Sequence, residues 1–362
     1  YKQVIAEYPN TEEAKNAADM IKAVYIEQDN PDGFVDWANA SGTNISEDEQ
    51  DEIMWQIAKK NYVDKKYNEA LSSLTNYLKS FPKGKFYIEA NYYKAELHFY
   101  FEEKDLALEN YRVVANAPRG AFTEESTIKA SSILFDKEAW EEAYSLYDKL
   151  YSLSENKSTT LLASIGKLRC AYNLNNWDNT IAAAMQIIDN ERSNDEEKRE
   201  SHFKMAKAYY NKDNLIRALN LFENIATETK SAEGAESKYR VIKIHYKMQR
   251  DSIAEELAYE FAQSNSPHAY WVAKTLICLA DIYYDREDFF SAKHTLQSLL
   301  NNYPIETDGI KDETSQKLAN IIDEEQGKRS SEDLLNLKIN LSGEEENDNT
   351  QIEISIQKQQ YA

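Results

Sequence analysis

The chain has 362 residues, which is too long for one compact core and indicates two domains or an elongated array. Its 63 Asp and Glu residues outnumber 42 Lys and Arg residues, and the net charge of −21 argues against a nucleic-acid ligand, because phosphate backbones are repelled. Only nine glycines and six prolines occur, which predicts a mostly helical chain with short connections.

Nothing in the sequence predicts a membrane span, because no run of 18 apolar residues occurs. Cys170 and Cys278 each lie in an apolar helical pattern and are interpreted as small buried side chains, not as a disulfide or metal pair. The chain opens at Tyr1 in mid-helix pattern, with neither an initiator Met nor a signal peptide. We therefore expect a fragment of a longer protein, whose targeting segment or membrane tether would lie upstream.

Residues 1–45 are interpreted as partial and degenerate repeats. Tyr1 to Pro9 resembles the end of a second helix, and Glu12 to Tyr25 has the apolar spacing of a first helix. A short second helix is predicted near Gly33. The segment from Ser41 to Asn44 then interrupts the pattern and is interpreted as a hinge.

Residues 46–305 are predicted to contain seven repeats. Ser46 and Glu49 have the spacing of a capping box at the start of the first one. A small residue opens the second helix of each repeat, at intervals of 37, 36, 37, 38, 36 and 38 residues: Ala70, Ala107, Ala143, Thr180, Ala218, Ala254 and Ala292. Larger apolar residues follow four and seven positions later, on the same helical face. A small residue allows two helices to approach closely, and the larger ones fill the groove between them.

Two further features recur in the first helices. A small residue is found at Ala58, Ala95, Ala206 and Ala280, and an aromatic residue ends the helix at Tyr62, Phe99, Phe135, Tyr172, Tyr210, Tyr246 and Tyr284. Prolines also follow several second helices, at Pro82, Pro118, Pro267 and Pro304. Together with the alanine that opens the second helix, these features resemble the tetratricopeptide repeat family. The resemblance implies an all-α fold, a right-handed superhelical solenoid of antiparallel helix pairs. Thr180 replaces alanine, and Leu168 and Ile242 fill slots that are usually small, so we expect those repeats to be looser.

The phase of the repeat ends near Pro304. Residues 306–327 are predicted to form a C-terminal capping helix, with Leu318, Ile321 and Ile322 on its apolar side. Residues 328–362 are polar and acidic and are expected to form a flexible tail. Within the tail, Ile352, Ile354 and Ile356 alternate with polar residues, and the alternative is a strand that adds to a sheet edge of another protein.

The sequence contains no recognisable catalytic motif. It has no glycine-rich phosphate loop, no nucleophile-elbow pattern and no HExxH zinc motif, and its five histidines are dispersed over different repeats. We therefore predict a protein that is not an enzyme and that uses no cofactor or metal.

The candidate site is a concave surface that binds a protein or peptide. In the family that this chain resembles, the first helix of each pair lines the inner face, and aromatic residues there supply large contact areas. The candidate contact residues are Trp55, Lys59, Tyr62, Tyr92, Glu96, Phe99, Phe203, Lys207, Tyr210, Ile277, Asp281 and Tyr284. Lys59 and Lys207 alone do not make the two-carboxylate clamp of chaperone-binding family members.

The repeat sequences also resemble those of envelope proteins of Gram-negative bacteria, and the composition is similar to that of Bacteroidetes proteins. This resemblance implies a periplasmic or outer-membrane-associated interaction scaffold. Two alternatives remain open. One is a cytoplasmic adaptor of the chaperone or signalling kind, and the other is a recruitment module of a larger protein with an upstream enzymatic or glycan-binding domain.

Overall fold

The computed structural model of the chain describes residues 1–41, 46–227 and 230–342, and these residues form helices and no strand. The chain divides into unit 1, Tyr1–Ala208, and unit 2, Tyr209–Ala362. The helices of unit 1 are α1 (Lys2–Glu7), α2 (Glu12–Glu27), α3 (Pro31–Ser41), α4 (Glu47–Val63), α5 (Tyr67–Ser80), α6 (Tyr87–Tyr100), α7 (Lys104–Asn116), α8 (Thr123–Asp136), α9 (Trp140–Leu153), α10 (Lys157–Asn173), α11 (Trp177–Ile188) and most of α12 (Asp195–Asn211). Those of unit 2 are α13 (Leu215–Ile225), α14 (Ala232–Lys247), α15 (Asp251–Gln263), α16 (Ala269–Asp285), α17 (Phe289–Asn302) and α18 (Ile310–Ser342).

Each helix packs mainly against its neighbours in the chain. In unit 1, α4 packs on α5, α5 on α6 and α6 on α7, and the same order continues to α11. In unit 2, α13 to α18 pack in sequence, with additional contacts between α14 and α16 and between α16 and α18. This nearest-neighbour packing is that of a solenoid of helix pairs, so the predicted all-α fold class is confirmed.

The small residue that opens each second helix is fully buried in every repeat. All seven, Ala70, Ala107, Ala143, Thr180, Ala218, Ala254 and Ala292, have no exposed surface. The residues four positions later are also buried: Leu74, Tyr111, Tyr147, Ala184, Phe222, Ala258 and Leu296. Seven positions after the small residue, Ile225 is half-buried, whereas its six counterparts are buried. The predicted packing face is therefore the core of each helix pair.

A left-handed residue in the turn brings the two helices of each pair together. It lies five positions before each small residue, with φ between 54° and 62°: Lys65, Glu102, Glu138, Asn175, Asp213, Gln249 and Glu287. The next backbone N–H donates to a carbonyl five residues earlier, as from Ala139 to Leu134 at 3.0 Å. This bond closes the first helix in a Schellman motif. None of these seven residues is glycine, so every turn carries a side chain in a conformation that costs roughly 1–2 kcal/mol.

The repeats that depart from the family pattern remain tightly packed, contrary to the expectation that they would be looser. Thr180, Leu168 and Ile242 are at most 1% exposed. The hydroxyl of Thr180 donates to the carbonyl of Asn176 at 2.8 Å within its own helix, so the threonine is buried without an unsatisfied polar group.

The N-terminal repeat exchanges its large and small residues. Phe34 occupies the slot of the small residue, with 6% exposure, and Ala38 follows four positions later with none. The predicted capping box at Ser46 is present, because its hydroxyl accepts from Glu49 N–H at 3.2 Å and the Glu49 carboxylate accepts from Ser46 N–H at 2.9 Å. Residues 42–45, on which most of the predicted hinge falls, lie outside the described residues.

The closing helix is longer than expected. α18 runs from Ile310 to Ser342, so helical structure continues beyond residue 327 into the segment expected to be a flexible tail. Ile310 and Ile321 are buried against unit 2, whereas Ile322 is exposed. The predicted strand at Ile352 to Ile356 lies outside the described residues.

We expect Ala218→Trp to destabilise unit 2 by about 1–3 kcal/mol, because an indole in this fully buried slot forces the helix pair apart. Urea unfolding followed by circular dichroism measures the change. Ile216→Trp is the matched control on the same helix, since Ile216 is 65% exposed. Equal unfolding midpoints for the two variants would contradict the assigned slot.

We expect Glu138→Gly to stabilise unit 1 by about 0.5–1 kcal/mol, because glycine adopts φ of 57° without strain. The same change at Glu141, in the first turn of α9, should instead destabilise the unit by about 1 kcal/mol or less. Opposite shifts of the urea midpoint are the expected result, and a loss of stability in Glu138→Gly would refute the strain argument.

Candidate functional site

Two of the candidate contact residues, Trp55 and Tyr92, are buried inside unit 1. Trp55 is 3% exposed and stacks on Phe86 with centroids 5.1 Å apart. Tyr92 is 9% exposed, stacks on Phe122 at 4.3 Å, and donates a hydrogen bond to Glu125 at 2.8 Å. Burial raises the pKa of the Tyr92 hydroxyl, and its bond to Glu125 raises it further. These two rings join α4 to α6 and α6 to α8, and offer little surface to a partner.

Lys59 and Tyr62 lie on the accessible side of α4. The Lys59 ammonium is 3.2 Å from the Glu89 carboxylate on α6 and 5.5 Å from the centroid of the Trp55 ring. Tyr62 is half-buried, and its ring centroid is 4.5 Å from that of Tyr93 on α6. Burial raises the pKa of the Tyr62 hydroxyl, with a smaller contribution from the charge of Glu96. Contacts with α6, the first helix of the next repeat, therefore fix the side chains of both residues.

Glu96 and Phe99 form the corresponding group on α6, and both contact Lys129 on α8. The Lys129 ammonium is 3.2 Å from Glu96 and 4.7 Å from the centroid of Phe99, which is 39% exposed. Glu96 also accepts a hydrogen bond from the hydroxyl of Tyr111. Lys129 thus lies over the face of an exposed aromatic ring and holds it through a cation–π contact.

The third predicted group, Phe203, Lys207 and Tyr210, is divided by the boundary between the units. In unit 1, the Lys207 ammonium lies 5.2 Å from the Phe203 ring and 5.7 Å from the Tyr172 ring on α10. In unit 2, the Tyr210 ring lies under the guanidinium of Arg240, at 5.1 Å, and under Lys247, at 4.7 Å.

The fourth predicted group belongs to α16 in unit 2. Ile277 is 3% exposed and packs in the core, so it offers no contact surface. Asp281 forms ion pairs with Lys243, at 3.5 Å, and with Lys317. The Tyr284 hydroxyl donates to Glu324 on α18. In this unit the face of α16 is therefore partly covered by α18.

Basic residues that were not predicted from the sequence complete the face formed by the first helices. Lys129, Arg169, Lys204 and Arg240 lie on first helices, and each contacts a first helix of an adjacent repeat. Arg169 on α10 makes two bonds to Glu200 on α12, of 3.0 and 2.8 Å, and these bonds raise the pKa of its guanidinium. Lys129, Lys204 and Arg240 each lie fourteen positions before the small residue of their own repeat. This regular spacing could have revealed them from the sequence.

One cavity opens between the first helices of unit 1. It has a volume of about 390 Å³ and is lined by Phe135 and Ser132 of α8, Tyr147 of α9, Glu197 of α12, and Ser158, Leu161, Leu162, Ile165, Gly166 and Arg169 of α10. Gly166 lets the Tyr147 ring approach α10, because a Cβ atom at Gly166 would lie 2.5 Å from that ring. None of these lining residues belongs to the candidate contact set.

Neither thiol has the lowered pKa of an activated nucleophile, and the described residues show no metal-binding cluster. Burial raises the pKa of the Cys170 thiol to about 12 and that of Cys278 to about 11, so both thiols stay protonated near neutral pH. The His98 ring bonds to the Glu103 carboxylate at 2.6 Å, in the turn of its own repeat. No group of three or more His, Cys, Asp or Glu residues in the described ranges could hold a metal ion. In the same ranges, no helix has the length and apolar character needed to span a bilayer.

Residues 279–304 match the family model described as Tetratricopeptide repeat. No curated protein matches the chain.

Three solved structures have similar folds at low identity. A tetratricopeptide repeat protein from Parabacteroides merdae is 12% identical, covers 75% of this chain and 98% of its own, and has a TM-score of 0.34. The complex described as Naa15/Naa10 bound to HypK-THB is 13% identical over 80% of this chain and 42% of that one, with a TM-score of 0.46. PilW, described as a widely conserved type IV pilus biogenesis factor, is 19% identical over 62% of this chain and 98% of its own, with a TM-score of 0.36.

These likenesses concern the fold and carry no argument about a partner or a location. The family match covers the end of α16 and α17, and the other helix pairs repeat the same buried slots in phase. One helix pair of this chain therefore matches the tetratricopeptide repeat model, and the other pairs are similar to it in their buried slots.

Proposed function

We propose that the chain is a non-enzymatic scaffold that holds an extended segment of a protein partner. The partner binds on the exposed side of the first helices of unit 1, namely α4, α6, α8, α10 and α12, which we call the first-helix face. The observation that carries the proposal is a row of side chains on α4, α6 and α8 that are partly exposed and already fixed by contacts between repeats. Tetratricopeptide folds are generally interaction scaffolds, and protein partners suit a surface of this kind.

The row is ordered before any partner arrives. Lys59 pairs with Glu89 across α4 and α6, and Lys129 pairs with Glu96 across α6 and α8, both at 3.2 Å. Tyr62 is held against Tyr93 at 4.5 Å. A surface whose side chains are already ordered loses less conformational entropy on binding, at about 0.5–1.5 kcal/mol for each side chain that need not be fixed.

The aromatic residues supply the contact area. Phe99 is 39% exposed, and Val63 and Tyr100, next to Tyr62 and Phe99 at the ends of α4 and α6, are 67% and 64% exposed. Aromatic side chains that are partly exposed and rigid are enriched at the centres of protein interfaces. Trp55 and Tyr92 support this face from inside, and the contacts are assigned to the remaining candidate residues of unit 1: Lys59, Tyr62, Glu96, Phe99, Phe203 and Lys207.

We further propose that the scaffold acts in the envelope of a Gram-negative bacterium, in the periplasm or at the outer membrane. The support is the resemblance of the repeat sequences to those of envelope proteins. Fractionation of the source cells, with detection by an antibody against the chain, tests this location. Recovery in the cytoplasmic fraction would favour the adaptor alternative.

A photo-crosslinking experiment tests the partner surface. A benzoylphenylalanine residue replaces Phe99 on α6 in the protein expressed in its source cells, and the crosslinked products are separated by electrophoresis. We expect one defined protein adduct at this position, because the ring lies at the proposed contact surface.

The matched control places the same crosslinker at Met185 on α11, a second helix. Met185 is 53% exposed, so it is at least as accessible as Phe99 but lies outside the first-helix face. The same adducts at both positions, or none at Phe99, would contradict a partner site on the first-helix face.

A further inference from the structure

In four of the repeats, the aromatic residue that ends the first helix is covered by a side chain of the next first helix. The aromatic residue lies eight positions before the small residue of its own repeat, and the covering residue lies fourteen positions before the next small residue. We call this a cross-repeat aromatic contact. Within unit 1 it joins Tyr62 to Tyr93 at 4.5 Å, Phe99 to Lys129 at 4.7 Å and Tyr172 to Lys204 at 4.1 Å. Within unit 2 it joins Tyr210 to Arg240 at 5.1 Å.

Phe135 is the aromatic residue of unit 1 whose covering residue is missing. The position that would cover it is Gly166, which has no side chain. Phe135 makes an edge contact with Trp140 of its own repeat at 5.0 Å, and no cation lies over its ring among the described residues. The space beside it is the cavity of about 390 Å³ on the first-helix face.

The chain cannot fill this space with a residue at position 166. A Cβ atom there would meet three atoms of the Tyr147 ring at 2.5–2.6 Å, and Tyr147 is buried in the core of its helix pair. The missing contact is therefore a consequence of how α9 packs on α10, and an occupant has to come from outside the repeat.

The lining suits a long side chain with a positive end. Leu161, Leu162 and Ile165 provide an apolar wall, against which the methylenes of lysine or arginine can pack. Arg169 is already paired through both of its bonds to Glu200. Glu197 also lines the cavity. Its charge contributes to the raised pKa of the Arg169 guanidinium, but no described basic group lies within ion-pair distance of its carboxylate. Its carboxylate accepts a hydrogen bond from the backbone of Asn194 at 2.9 Å.

We propose that a lysine or arginine side chain of a bound partner occupies this cavity and stacks on Phe135, as Lys129 does on Phe99 and Lys204 does on Tyr172. This inference rests on the proposed function and specifies the partner as a basic segment. The net charge of −21 acts in the same direction, because it attracts basic partners over a longer range.

The test uses capped single amino acids as probes of the whole chain. N-acetyl-lysine amide, N-acetyl-arginine amide and N-acetyl-norleucine amide are titrated while methyl NMR signals of Leu161, Leu162 and Ile165 are followed. Norleucine has a side chain of comparable apolar length without the charge. We expect saturable shifts with the two basic probes and a dissociation constant about tenfold larger for norleucine.

Three variants locate the binding. Phe135→Leu keeps an apolar side chain beside Trp140 and should weaken the basic probes by about three- to tenfold. Glu197→Gln retains an acceptor for the Asn194 N–H and should weaken them about threefold or more, with a smaller dependence on salt. Phe290→Leu is the matched control and should leave binding unchanged, because Phe290 is an exposed ring on α17 that does not line the cavity.

The proposal is overturned if norleucine amide binds as well as the basic probes, which would indicate an apolar anchor. It is also overturned if no probe shifts these methyl signals up to its solubility limit, or if Phe135→Leu and Phe290→Leu behave alike. The crosslinking at Phe99 is an independent measurement, so a scaffold that crosslinks its partner but shows no basic preference would lose this inference alone.

Discussion

The structure depends on the close approach of two helices at one fully buried small residue in each repeat. Ala70 and its six counterparts have no exposed surface, so the two helix backbones come together at that point. A left-handed residue, such as Glu138, turns the chain five positions earlier and sets the angle at which the second helix returns. The small residue and the left-handed residue both recur at intervals of 36 to 38 residues. Each helix pair therefore presents the same faces to the next pair.

The first-helix face follows from this repetition. When identical helix pairs stack, residues at equivalent positions of successive first helices lie side by side, and contacts between them recur. Cations and aromatic rings meet in this way at Phe99 and Lys129, and at Tyr172 and Lys204. Each such contact is worth only about 0.5–1 kcal/mol at a surface, but together they fix the side chains that a partner would meet. The single glycine at position 166 matters because it interrupts a regular series.

The departures from the repeat pattern show what the packing tolerates. Thr180 fits the alanine slot because its hydroxyl bonds within its own helix. Phe34 and Ala38 exchange the large and the small residue of the first described pair, and both are buried. What the packing requires is therefore a filled volume with satisfied polar groups, which a reversed order of side chains can also provide.

The sequence by itself determined the all-α fold, the phase of the seven pairs and the buried slots, because these depend on helical periodicity and on small residues at regular intervals. It also placed Lys59, Tyr62 and Phe99 on the accessible first-helix face. Only the tertiary structure decided that Trp55 and Tyr92 are buried, since a ring on the inner side of a helix can point to solvent or pack on the next repeat. The cavity beside Phe135 was likewise beyond sequence reasoning, because its volume depends on how the Tyr147 ring packs against the glycine of the neighbouring helix.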